Sequence, residues 1–135
     1  MKKLFCILIL LIAFNGISQN LDSCKTVAQV KNLIKGDWRL KGDTKNVVYR
    51  FSFYKNQGFI EVLPEMNLPP KAEKTKDSDM IINKKSAFNI QLKQEAFFVV
   101  IQNLNYEVTE KIEVLNKTNF IYGKGHYQHV FIKDN

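Results

Sequence analysis

Two hydrophobic rhythms run along the chain, one after the other. Val27, Val30, Leu33 and Ile34 recur at three- and four-residue spacing, with Lys25, Lys31 and Lys35 outside that stripe. This is the period of one amphipathic helix, started by a capping Asp22 or Ser23 and closed by Gly36. From Val47 the period becomes two: Val47, Tyr49, Phe51 and Phe53 share one strand face, and Arg50 and Ser52 point the other way. Lys55-Asn56-Gln57-Gly58 reads as a turn with Gly58 free to take positive φ, and Phe59 to Leu63 returns as the second arm of a hairpin.

The stretch from Pro64 to Asp77 holds all three prolines and a run of charge, which predicts a long surface loop. Strands are expected again at Asp79 to Asn83 and around Phe88, Ile90 and Leu92. Phe97 to Ile101 is apolar without a break, the mark of a strand covered on both sides. Tyr106, Val108, Ile112 and Val114 alternate with polar residues, and Glu110 interrupts their apolar face. Asn116 to Asn119 and Gly123 to Gly125 read as turns, flanking a short strand at Phe120 and Tyr122 and a last strand from Tyr127 to Lys133. Eight or nine strands joined mostly by short turns predict an all-β antiparallel meander, closed as a barrel or stacked as a sandwich, with one short N-terminal helix. There is no repeat and no second domain.

Ahead of the helix, Lys2 and Lys3 precede an apolar run from Leu4 to Phe14 and the small residues Gly16 and Ser18. A positive head, an apolar centre and a small-residue cut site are the parts of a secretory signal. The expectation is a leader at residues 1–18 and a single domain at 19–135, periplasmic or secreted. The run falls short of the roughly 20 residues needed to span a bilayer, so no stable membrane span is expected. Loss of Lys2 and Lys3 with the leader lowers the formal charge from +7 to +5. Arg occurs only at 39 and 50, and Arg is the usual reader of phosphates and bases, which argues against a nucleic-acid partner. Cys6 leaves with the leader, so Cys24 is the one mature thiol and no internal disulfide can form. Leu21-Asp22-Ser23-Cys24 fits a lipid-anchoring motif poorly at Asp22.

The helix runs into Gly36-Asp37-Trp38, followed by the meander of hairpins, and Trp38 is the single Trp of the chain. This arrangement resembles the small bacterial lipocalin-like, calycin-type exported proteins. There a Gly-x-Trp opens the first strand and its indole closes one end of the barrel, so the resemblance gives Gly36 and Trp38 a structural role. It implies an up-and-down barrel of eight or nine strands with a binding role. That family commonly sets an Arg of the last strand against the Trp, and the last strand here has none. Fatty-acid-binding relatives carry an Arg-x-Tyr near the end, where this chain has His126-Tyr127-Gln128.

No nucleophile elbow, phosphate-binding glycine loop or metalloprotease helix is present, which points to a non-catalytic protein without cofactor. His126 and His129 are three apart, on opposite faces of a regular strand, so no shared metal is expected. Two roles then compete. A small apolar ligand could lie against Tyr49, Phe51, Phe53, Phe98 and Tyr106, with Arg50 or Glu110 setting its orientation; Glu110 would be either a buried acid or a wet residue of the barrel mouth. Alternatively the domain contacts another exported protein, as a periplasmic immunity or inhibitor protein would, with Lys71, Lys74 and Lys76 of the long loop at the contact. A ligand binder needs a hollow interior of a few hundred Å³; a partner binder can be solid with an exposed patch. The sequence leaves the oligomeric state open.

Overall fold

The computed structural model describes residues 20–65, 85–102 and 104–133. The leader, the strand expected at Asp79 to Asn83 and the loop lysines Lys71, Lys74 and Lys76 lie outside the described residues. Eight strands form a closed antiparallel barrel in simple chain order. They are β1 (Gly36–Leu40), β2 (Val47–Tyr54), β3 (Gln57–Pro64), β4 (Lys85–Lys93), β5 (Ala96–Gln102), β6 (Glu107–Leu115), β7 (Asn119–Tyr122) and β8 (His129–Ile132). Among the described residues one α-helix, α1 (Val27–Ile34), precedes them. The structure is therefore the all-β barrel expected, consistent with a lipocalin-like fold.

The register fixes which side chains face inward, because directly opposed residues of an antiparallel pair share a face. Trp38 opposes Tyr49, Phe51 opposes Ile60, and Gly58 opposes Phe88. The same face continues through Ile90 opposite Val99, Val99 opposite Glu110, Ile112 opposite Tyr122 and Phe120 opposite Phe131. Phe51 lies at the centre. Its ring centroid is 5.7, 5.5 and 5.2 Å from those of Phe88, Phe120 and Phe131, each nearly edge-on. Trp38 stands 5.9 Å from Phe120. Gly58 passes beneath these rings; a Cβ there would come within 2.7 Å of Phe88. The ring stack occupies the centre of the barrel.

Helix α1 stoppers one end, burying Val30, Leu33 and Ile34 against the ring stack. Its cap is Thr26, whose hydroxyl accepts from the Gln29 amide while the Gln29 side chain accepts from the Thr26 amide. Asp22 and Ser23, the caps expected from sequence, instead belong to a 3-10 turn at Leu21–Ser23 capped by Asn20. Beneath the helix Trp38 donates its indole N–H to the Ile34 carbonyl at 2.6 Å. The Lys133 ammonium lies 4.3 Å from the indole centroid and donates to the Lys35 carbonyl at 3.2 Å. A lysine just past the last strand thus supplies the cation that the strand itself lacks. Gly36, with φ of +121°, brings the chain past this ammonium, 3.4 Å from where its Cβ would be.

Other local expectations are corrected. The β2–β3 turn is Lys55-Asn56, with the positive φ at Lys55, so Gly58 serves packing and not the turn. Tyr106 precedes β6 and is exposed. A register shift between Ile112 and Val114 turns Val114 outward and Leu115 inward. Gly125–Tyr127 is a 3-10 turn, which shortens the last strand to His129–Ile132.

Phe51→Ala should cost about 3–5 kcal/mol in urea unfolding, the range for a large side chain removed from a packed core. Lys133→Ala should cost about 1 kcal/mol or less. A Phe51→Ala loss no larger than that of Lys133→Ala would show that the rings are not the packed centre.

Candidate functional site

At the end opposite the helix the barrel wall is uneven. Strands β7 and β8 have 4 residues each, whereas β6 has 9. The Gly123 amide makes the last bond between them, to the Lys111 carbonyl at 3.0 Å. Beyond that point β6 continues through Glu110 to Glu107 paired with β5. The chain from Gly123 to Gln128 folds back over the step through its 3-10 turn. The result is a side cleft of about 420 Å³ lined by Phe98, Thr109, Glu110, Lys111, Gly123, Lys124 and Tyr127.

The inner wall of this mouth is polar. The Glu110 carboxylate, one-fifth exposed, stands 3.9 Å from His129 Nε2. The His129 ring stacks on Tyr122 with centroids 4.8 Å apart. Across the barrel the Tyr49 hydroxyl donates to Asp43 Oδ2 at 2.7 Å. Burial, reinforced by that bond to an anion, pushes the Tyr49 phenol up to about 12. Tyr122 is pushed up further by burial and then by the charge of Glu110. Burial works against the Asp43 carboxylate, yet hydrogen bonds from the Lys45 amide and Tyr49 hold it below the usual carboxylate range.

The structure distributes the sequence-predicted residues widely. Tyr49, Phe51 and Phe53 share the inner face, but at three depths: Tyr49 at the mouth, Phe51 in the ring stack, Phe53 at the helix end beneath Lys31. Phe98 opposes Lys111 on the outer face. Arg50 is also outside, in a bidentate pair with Asp37 at 2.7 and 2.9 Å, and does not meet Glu110. Tyr106 stands on the rim. Phe98 and Glu110 alone among these meet in the side cleft, one from each face of the wall. Lys71, Lys74 and Lys76 lie outside the described residues.

Three mouth residues escaped the sequence reading. Strand parity with Phe131 and Phe120 carries the signal for His129 and Tyr122 facing inward. Asp43 had no signal, because its bond to Tyr49 depends on how the β1–β2 loop folds. Elsewhere a groove of about 390 Å³ runs between Leu21, Cys24 and the β5–β6 wall; burial raises the Cys24 thiol above its ordinary value. Among the described residues, no three His, Cys, Asp or Glu side chains converge as metal ligands would, and no helix is long and apolar enough to cross a membrane. Comparison with protein-family models, curated proteins and solved structures gives no match to this chain.

Between about pH 10 and about 12 unfolded Tyr49 loses its proton while folded Tyr49 keeps it. Its stabilising contribution is therefore complete below about pH 10 and falls as pH rises through the folded value. Urea unfolding of the Tyr49→Phe variant should show a shallower alkaline loss of stability than the parent chain. Parallel pH curves for the two proteins would contradict the shift.

Proposed function

We infer that this chain is an exported, non-catalytic domain of the lipocalin-like type that grips another exported protein at the mouth of its barrel. One observation carries the reading: the interior is filled by the Phe51 ring stack, whereas the mouth offers apolar surface to solvent. Leu104 is fully exposed, and Tyr106 and Tyr127 are 61% and 78% exposed. Tyr106 and Leu104 belong to the β5–β6 loop and Tyr127 to the β7–β8 loop, neighbours at the same end. Lys41, Lys45 and Lys124 lie in loops of the same end, and Lys85 starts β4 there. Exposed tyrosines within a polar, charged rim suit a protein interface. A rigid barrel can present such loops with little ordering cost.

The calycin-type relationship is part of the same proposal. It is supported by the closed meander, by Gly36-Asp37-Trp38 where helix gives way to β1, and by a cation on the indole. Export is supported by the leader-like run at residues 4–14. A second reading, a small apolar ligand, draws on the 420 Å³ cleft, a size that admits one.

Native mass spectrometry of residues 19–135, purified from the producing cells, should give the bare protein mass. A reproducible small-molecule adduct would replace the partner reading with the ligand one. Pull-down against exported proteins of the same cells should lose its specific band when Leu104, Tyr106 and Tyr127 are together changed to Ser. Retention of the band in that variant would remove the mouth as the contact.

A further inference from the structure

The step in the wall leaves backbone as well as side chains open. Along a strand, the N–H and C=O of one residue point to the same side, and successive residues alternate. The Lys111 carbonyl accepts from Gly123, so it points toward β7. Thr109 and Glu107, two and four residues earlier, point the same way. Their opposites, Val108 and Glu110, face β5 across from Ile101 and Val99. Strand β7 stops at Tyr122, so among the described residues nothing pairs with Thr109 or Glu107 on that side. The barrel is closed, yet it carries a short free edge along the wall of the 420 Å³ cleft.

Free strand edges recruit further strands, and extended peptides exploit this by adding main-chain hydrogen bonds along an edge while alternate side chains enter flanking pockets. Here the flanks are defined. Outward side chains of an added segment would meet Tyr127 and Phe98. At the Gly123 end of the edge stand Lys124 and Lys111, the latter also pairing with Glu113 at 3.8 Å, while the Glu110 carboxylate of the same cleft is turned to His129. We propose that the mouth captures an extended, acidic-ended peptide segment of its protein partner by strand addition to β6 at Thr109 and Glu107. This rests on the partner reading above and names the chemistry of contact. The segment is short, because the edge offers two residues before the β5–β6 loop begins.

The probe is a capped hexapeptide of alternating valine and threonine ending in two glutamates, added at about millimolar concentration to 15N-labelled residues 19–135. Amide exchange read by NMR should slow about tenfold at Thr109 and Glu107. Val108 and Glu110, already bonded to β5, should change little. A twin peptide N-methylated at alternate residues keeps every side chain but lacks the donors, and should give no protection. The double change Lys111→Glu with Lys124→Glu should weaken the parent peptide about tenfold. Unchanged exchange at Thr109 and Glu107, or equal binding of the methylated twin, would overturn strand addition. The rim-serine pull-down reads the partner hypothesis separately. A band lost there, with no edge protection by the peptide, keeps the partner and removes the strand; a band retained there removes both.

Discussion

The packing of Phe51 against Phe88, Phe120 and Phe131 is the interaction on which the rest of this molecule depends. Eight strands enclose a space just wide enough for side chains to fill. Here the filling is aromatic, drawn from β2, β4, β7 and β8, so Phe51 ties β2 to three strands with which it shares no hydrogen bonds. Each ring then needs room from its neighbours. Gly58 yields it beneath Phe88, and α1 seals the end where Trp38 meets Phe120. A core of this kind places large side chains where the strands converge, and polar side chains such as Glu110 and His129 stand toward the mouth.

The uneven lengths of the strands follow from the same centre. Strands β7 and β8 are long enough to place Phe120, Tyr122 and Phe131 in the stack, and they end there. Strand β6 runs on, held by β5, and its inner face passes from Ile112 to Glu110 at the level where the neighbouring strand β7 has stopped. A carboxylate there keeps contact with water and with His129, and avoids the cost of a charge buried without a partner. The polar mouth, the side cleft and the free edge are three consequences of one difference in strand length.

Charge on the outside does less for the fold. The Arg50–Asp37 pair is half exposed at both ends, and water screens such pairs so that they add little to stability. Arg39 and Glu65 pair in the same manner beside the mouth. The Lys133 ammonium differs because it is pinned by the Trp38 face and the Lys35 carbonyl; burial holds it below the usual lysine range despite Asp37 nearby. It joins the end of the chain to the junction of helix and barrel.

The sequence by itself determined the class of fold, because a two-residue period and a 3.6-residue period cannot be confused over these lengths. One helix, the strand faces of Tyr49, Phe51 and Phe53, the place of Trp38 and the inward direction of Glu110 were all legible. Tertiary structure decided what periodicity does not encode. The shift after Ile112 reversed Val114, the 3-10 turn at Gly125–Tyr127 shortened β8, and Arg50 found Asp37 on the outer surface. The Asp43–Tyr49 bond and the seat of Lys133 join residues whose proximity depends on a loop and on barrel closure. Whether the inward face would be hollow or filled was also undetermined. Rings from strands far apart in the chain meet only once closure sets the diameter, and that geometry filled the centre and left the mouth open.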